Sequence, residues 1–81
     1  MSTEVVPMPK AGEMMEEGIV VEWLVEVGEH VEVEQPVAVV STDKVDIDVE
    51  SPLAGTVTRL LAEPQQTVKV GAPLLELEVA D

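Results

Sequence analysis

The sequence predicts an all-β domain, a small sandwich or flattened barrel made of two four-stranded antiparallel sheets. Three observations lead to this prediction. Valine is the commonest residue, with 17 copies in 81 residues, and β-branched side chains favour strands over helices. Short apolar runs alternate with Gly, Pro and acidic residues that are typical of turns. The second half of the chain also repeats the first, which predicts two similar units packed against each other.

Eight short strands follow from the alternation of apolar and polar residues and from the turn residues between them. In chain order they cover 5–8, 19–27, 31–33, 37–40, 45–49, 56–62, 67–70 and 74–79. No segment has the periodicity of a helix. Residues 9–17 hold a glycine, two methionines and three glutamates, and this composition predicts an exposed loop.

The internal repeat aligns residues 18–40 with residues 55–77 at a constant offset of 37, without a gap. Seven positions are identical, and several of the others exchange one aliphatic residue for another. The identical pairs are Gly18/Gly55, Val20/Val57, Leu24/Leu61, Glu26/Glu63, Val31/Val68, Val33/Val70 and Pro36/Pro73. We therefore expect a pseudo-twofold axis between two four-stranded halves.

The centre of the chain predicts a β-hairpin that bends at Asp43-Lys44. Apolar residues alternate along both arms, and Asp is poor in strands but good in turns. We expect Val37, Val39 and Ser41 on one face of the first arm, Val45, Ile47 and Val49 on one face of the second, and Asp46, Asp48 and Glu50 opposite. Lys44 is one of only four cationic residues. The repeat pairs it with position 81, so the chain ends should occupy the symmetry-related tip.

Composition limits the classes of function. The formal net charge of −13 argues against nucleic acid and membrane as partners, and no stretch has the length and apolarity of a membrane span. The chain has no cysteine, and its first residues do not resemble a targeting segment. We expect one domain over residues 1–81 with flexible ends at 1–4 and 80–81, in the bacterial cytoplasm or the mitochondrial matrix.

Lys44 is the leading candidate for a functional residue. The simplest alternative is an ordinary solvated turn lysine, but a rigid hairpin tip would present the amine for modification. The acidic residues around it do not match a calcium loop, because they lie on a strand and lack the glycine and bidentate glutamate of that motif. No nucleophile–base pair, phosphate loop or metal cluster is present in the sequence. The pattern is typical of a carrier or docking module, not of an enzyme.

Several motifs resemble one family over residues 5–79. They are Met8-Pro9-Lys10, Gly12, Met15-Glu16-Glu17-Gly18, Trp23, Gly28 with Val31, Ser41-Thr42-Asp43-Lys44-Val45, Ser51-Pro52 with Gly55, and residues 68–71. The chain resembles the lipoyl domain of the dihydrolipoamide acyltransferase components of 2-oxo acid dehydrogenase complexes. The resemblance implies the barrel-sandwich hybrid fold and lipoate attached to Lys44 as a swinging arm. We further expect the attaching ligase to recognise the flanking Asp43 and Val45.

The resemblance also implies partners. These are a thiamin-diphosphate-dependent 2-oxo acid dehydrogenase, an acyltransferase core that uses coenzyme A, dihydrolipoamide dehydrogenase, and a lipoate ligase or lipoyl transferase. We expect the chain to be part of a longer acyltransferase. One alternative is a biotin carrier domain of a carboxylase, although that class flanks its lysine with methionines. The other is an unmodified structural domain of hammerhead shape.

The loop over residues 9–17 is the candidate partner-contact surface. It offers adaptable apolar area at Met14 and Met15 and negative charge at Glu13, Glu16 and Glu17 that can attract a basic partner. The alternative is that the two methionines only cap an open end of the core.

Overall fold

The computed structural model describes residues 2–10, 15–43 and 45–80. These residues form eight strands: β1 (Ser2–Pro7), β2 (Glu17–Trp23), β3 (His30–Val31), β4 (Pro36–Ser41), β5 (Asp46–Glu50), β6 (Gly55–Leu60), β7 (Thr67–Lys69) and β8 (Pro73–Val79). One sheet has the order β1-β8-β6-β3 and the other β5-β4-β2-β7, with every pairing antiparallel. The predicted fold class is confirmed.

The predicted pseudo-twofold axis exchanges the two sheets strand for strand. Backbone hydrogen bonds recur at the offset of 37: Leu24 N to Val37 O (2.9 Å) recurs as Leu61 N to Leu74 O (2.8 Å), and Gly28 N to Val57 O (2.7 Å) as Gln65 N to Val20 O (2.6 Å). The last two donors both have positive φ, 94° and 72°. The repeat therefore extends to backbone conformation.

The symmetry is broken between Met8 and Gly18. Met8 N donates to Ala72 O, and the equivalent bond runs from Ser51 N to Gln35 O. These donors are 43 residues apart, whereas the acceptors are 37 apart, so the first half contains six additional residues in this connection. The equivalent connection in the second half, between Ser51 and Gly55, is made without them.

The core between the sheets is almost entirely aliphatic, with Met8 as its largest fully buried side chain. Trp23 lies half-buried at the edge of this core, where its indole N–H donates to Ala62 O at 2.9 Å. Its polar atom thus keeps a partner while the ring covers apolar surface.

Two details of the strands differ from the sequence prediction. The second strand ends at Trp23 instead of continuing to Val27, because the chain bends at Leu24 and Val25 and Leu24 N donates to Val37 O. Val37 was expected to share a face with Val39 and Ser41. An irregularity between Pro36 and Ala38 interrupts the alternation, so Val37 is fully buried while Val39 is half-buried.

The beginning of the chain is paired more extensively than the sequence suggests. Ser2, Thr3 and Glu4 lie in β1 and pair with residues 77–79 of β8; flexibility at residues 1–4 and 80–81 stays a prediction. No helix that is long and apolar enough to cross a membrane occurs in the described parts of the chain.

Candidate functional site

The tip of the β4–β5 hairpin is the site that the sequence predicts. Ser41 pairs with Asp46, and Thr42 N donates to Val45 O at 2.9 Å. The Thr42 hydroxyl donates to the same oxygen at 2.7 Å, and Val45 N lies 3.2 Å from Thr42 Oγ1. These bonds close the hairpin around positions 43 and 44, which confirms the predicted bend. Lys44 itself lies outside the described residues.

The two chain neighbours of Lys44 are both exposed. Asp43 is open to solvent, and Val45 is 60% exposed although it is aliphatic. Val45 was expected to share a face with Ile47 and Val49. It precedes β5 and is exposed, whereas Ile47 is half-buried and Val49 is buried, so burial decreases along this arm toward the tip. Lys44 is thus flanked by an exposed acidic residue on one side and an exposed aliphatic residue on the other.

The chain ends lie at the symmetry-related end of the other sheet. The Ser41–Asp46 pair that precedes the hairpin tip corresponds to the Glu78–Thr3 pair. The next pair out, Val79 with Ser2, therefore corresponds to Thr42 with Val45. The hairpin tip and the chain ends are thus at related positions, as the repeat predicts.

Met15 packs at the base of the hairpin. A Cβ added to Gly18 would overlap Val40 Cγ1, and it would lie 3.4 Å from both Met15 Cε and Ser41 O. Met15 is half-buried against the core. This position agrees with the alternative that the methionines of the loop cap an open end of the core.

The acidic part of the loop continues into β2 beside the hairpin. Glu16 and Glu17 are exposed, Glu16 O accepts a hydrogen bond from Val70 N at 2.9 Å, and Glu17 pairs with Lys69. Ile19 pairs with Ser41, so the start of β2 runs alongside the end of β4. Glu13 and Met14 lie outside the described residues.

Sequence reasoning missed the role of the Thr42 hydroxyl, which joins both ends of the turn. A signal was available, because Ser and Thr side chains commonly bond to backbone groups in turns. Among residues 2–10, 15–43 and 45–80, no group of three or more His, Asp or Glu side chains could hold a metal ion.

Comparison with known proteins assigns this arrangement to a family. The biotin–lipoyl family model, described as "Biotin-requiring enzyme", matches residues 4–77. The chain is 47% identical over 72 residues to the dihydrolipoyllysine-residue acetyltransferase component of the pyruvate dehydrogenase complex of Corynebacterium glutamicum, covering 89% of this chain and 11% of that protein. It is 43% identical over 79 residues to the lipoamide acyltransferase component of the branched-chain alpha-keto acid dehydrogenase complex of Pseudomonas aeruginosa, covering 98% and 18%.

Solved structures show the same fold. The lipoyl domain of the 2-oxoglutarate dehydrogenase complex of Azotobacter vinelandii matches with a TM-score of 0.72 and 26% identity, covering 94% of this chain and 98% of that one. The urea carboxylase of Kluyveromyces lactis matches over 96% of this chain and 6% of that one, with a TM-score of 0.80 at 19% identity. The second likeness concerns the fold alone.

Proposed function

Because the chain belongs to the biotin–lipoyl family, we propose that it is the carrier domain of a dihydrolipoamide acyltransferase, with lipoate in amide linkage to the Nζ atom of Lys44. The hairpin carries this proposal. Thr42 and Val45 close the turn by backbone and hydroxyl hydrogen bonds, and the two neighbours of Lys44 are exposed. A ligase therefore has access to the turn from outside the sheet.

The domain contributes position, not catalysis. Lipoate at Lys44 would supply a dithiolane that takes up and releases acyl groups and electrons. The proposed partners are a thiamin-diphosphate-dependent 2-oxo acid dehydrogenase, an acyltransferase core with coenzyme A, and dihydrolipoamide dehydrogenase. A tethered carrier meets each of them as an intramolecular event, at an effective concentration of roughly millimolar for flexible linkers. The net charge of −13 keeps such a crowded carrier soluble.

The chain spans 11 to 19% of the length of the curated relatives that it matches, so the activity of the whole protein belongs to this proposal. Those relatives include pyruvate, branched-chain and 2-oxoglutarate complexes. We place the domain in an acyltransferase of one such complex, in the bacterial cytoplasm or the mitochondrial matrix.

The acidic loop is part of the same proposal. Glu13, Met14, Met15, Glu16 and Glu17 would select the dehydrogenase, and Asp43 with Val45 would select the ligase. The six additional residues between Met8 and Gly18 support this assignment, since the equivalent connection in the second half closes without them. Segments that the scaffold does not need are where binding residues concentrate.

Intact mass spectrometry tests the proposal. The domain is expressed with lipoate ligase and lipoate, and in parallel with biotin ligase and biotin. We expect the lipoyl mass on the parent, its loss in Lys44→Gln, and its retention in Lys69→Gln. The modification removes one positive charge, so the net charge changes from −13 to −14. Lipoylation that survives Lys44→Gln would refute the site, and biotinylation alone would establish the biotin carrier class.

Acylation of the lipoylated parent then identifies the type of complex. Suitable probes are the dehydrogenase components of the C. glutamicum pyruvate complex and the P. aeruginosa branched-chain complex, each with its own 2-oxo acid. Transfer of an acyl group to the lipoylated parent by one of them supports a carrier in that type of complex. A lipoylated domain that neither enzyme acylates would contradict the proposed partners.

A further inference from the structure

The outer face of the sheet that contains the hairpin carries three neighbouring aliphatic side chains, Ile19, Val21 and Val39. Ile19 is 42% exposed, Val21 is 36% exposed, and Val39 is half-buried. Ile19 pairs with Ser41, two residues from Val39, so the two side chains are diagonal neighbours. At the irregularity between Val20 and Glu22, Val21 is the extra residue of β2, so Val21 and Glu22 together lie opposite Val39. We call these three residues the aliphatic stripe.

The pseudo-twofold axis provides an internal comparison for the aliphatic stripe. At the offset of 37, the equivalent residues on the outer face of the other sheet are Thr56, Thr58 and Glu76. These are polar, and the Thr58 hydroxyl donates to Glu76 Oε1 at 2.8 Å. Equivalent backbone positions therefore carry aliphatic residues on the sheet of the hairpin and polar residues on the other sheet. The fold itself does not require an aliphatic stripe.

The charges around the aliphatic stripe differ in the same way. Glu22 and Asp48 pair with Val39 from its two sides, and Asp46 pairs with Ser41. The residues that the axis places at the corresponding positions are Arg59, Val5 and Thr3. These three positions are thus acidic on the face that leads to the hairpin and not acidic on the face of the other sheet.

The border and the net charge of −13 restrict what can cover the stripe. A second copy of this chain would bring like charges together, and nucleic acid or an anionic membrane would be repelled. A protein that offers an apolar contact surrounded by Lys and Arg matches both the aliphatic centre and the acidic border.

We propose that the aliphatic stripe with its border of Glu22, Asp46 and Asp48 is a docking surface for the basic face of the 2-oxo acid dehydrogenase that acylates the group on Lys44. This inference rests on the proposed function. Ser41 and Asp46 join the surface directly to the hairpin, so a protein that binds there also lies next to the turn. Steering by the border would raise the rate of encounter, and burial of the stripe would hold the complex.

The first test observes contact without the prosthetic group. Amide NMR spectra of the unmodified, 15N-labelled domain are recorded with increasing amounts of the dehydrogenase component that acylates the lipoylated parent. We expect broadening at the aliphatic stripe and at Asp46 and Asp48, with little change at Thr56 and Thr58 on the opposite face. Broadening confined to residues 15–17 and 42–45 would overturn the proposal, because the hairpin and loop would then be the whole interface.

The second test replaces two residues of the aliphatic stripe, Ile19 and Val21, by the threonines that stand at the equivalent positions of the other sheet. Ile19→Thr with Val21→Thr keeps β-branched side chains at exposed strand positions. The matched control is Val5→Thr with Val33→Thr, which alters aliphatic residues that are 47% and 55% exposed elsewhere on the surface. Each protein is lipoylated, and modification is verified by mass before kcat/KM for reductive acylation is measured.

We expect the stripe variant to be lipoylated fully and to lose about tenfold in kcat/KM, corresponding to about 1.4 kcal/mol of docking free energy. The control should stay within about twofold of the parent. A stripe variant that matches the control would overturn the docking surface and leave the carrier function intact. If the parent carried no lipoyl mass, the proposed function would fail and this inference with it.

Discussion

At the scale of single residues, Thr42 closes the turn that contains Lys44. Its hydroxyl donates to Val45 O at 2.7 Å and lies 3.2 Å from Val45 N. An exposed hydroxyl that is bonded in this way contributes about 1 kcal/mol to stability. The bonds are exposed, so their loss affects the shape of the turn more than the stability of the core.

We therefore predict that Thr42→Val is lipoylated several-fold more slowly than the parent, whereas its free energy of unfolding falls by only about 1 kcal/mol. Thr42→Ser is the control, because it retains the hydroxyl, and it should behave like the parent. Initial rates of lipoylation and urea unfolding curves measure the two effects. Equal lipoylation rates for Thr42→Val and Thr42→Ser would show that the hydroxyl does not position the turn for the ligase.

Two glycines lead to a second prediction at this scale. A Cβ at Gly55 would lie 2.7 Å from the backbone oxygen of Glu78, whereas one at Gly71 would have no neighbour within 4 Å but would be held at φ 89°. Gly71→Ala should cost about 1 to 2 kcal/mol of unfolding free energy, from the backbone conformation alone. Gly55→Ala should cost more, because paired strands must separate. Urea midpoints in the opposite order would contradict this.

At the scale of elements, the connection between β1 and β2 is expected to decide which dehydrogenase accepts the domain. Glu16 and Glu17 are exposed and lie beside the hairpin strand, since Ile19 pairs with Ser41. Replacing either carboxylate would therefore not leave a buried polar group without a hydrogen-bond partner. The charges of Glu16 and Glu17 can therefore be removed without disturbing the fold.

Replacing Glu13, Glu16 and Glu17 by glutamine should leave lipoylation and thermal stability unchanged, slow reductive acylation at low ionic strength and weaken its salt dependence. The control replaces Glu26, Glu34 and Glu50, which are away from the hairpin end of the sheet. Both variants change the net charge from −13 to −10. If the two triple variants are equally slow, the effect comes from net charge and not from the loop.

The strands and the bend could be predicted from the sequence because they depend on local chemistry. Val45, Ile47 and Val49 alternate with acids, and Asp43 favours a turn, so the hairpin followed directly. The exposure of Val21 and the burial of Val37 could not be predicted. Both residues sit at irregularities in strand pairing, where one extra residue interrupts the alternation, and pairing is a property of two distant segments. The same irregularity brings Val21 into the aliphatic stripe.

At the scale of the whole molecule, the pseudo-twofold axis separates what the fold needs from what the carrier needs. The hairpin tip and the chain ends are equivalent, since Thr42 and Val45 correspond to Val79 and Ser2. The surroundings of these two positions differ, because Glu16, Glu17 and the aliphatic stripe lie on the sheet of the hairpin, whereas polar residues stand at the positions equivalent to the stripe on the other sheet. A lysine moved from the hairpin tip to the chain ends would have an equivalent backbone on both sides but different neighbouring side chains.

A circular permutant makes this move. Val79 is joined to Ser2 through an Asp-Lys linker, residues 1, 80 and 81 are omitted, and the chain is opened between Asp43 and Lys44, with Lys44→Gln. Two residues suffice for the connection, because two residues span the equivalent pair at the hairpin. We expect a cooperative unfolding transition close to that of the parent, since every strand pairing is retained.

The functional outcome distinguishes the two requirements. Without a neighbouring hydroxyl equivalent to that of Thr42, we expect lipoylation of the linker lysine to be slow but measurable by mass, and Val79→Thr should accelerate it. Reductive acylation should be at least tenfold slower than for the parent even when lipoylation is complete, because the permuted lysine is remote from both the loop and the stripe. Acylation at the parental rate would mean that the dehydrogenase recognises a lipoylated turn alone, whatever surface surrounds it.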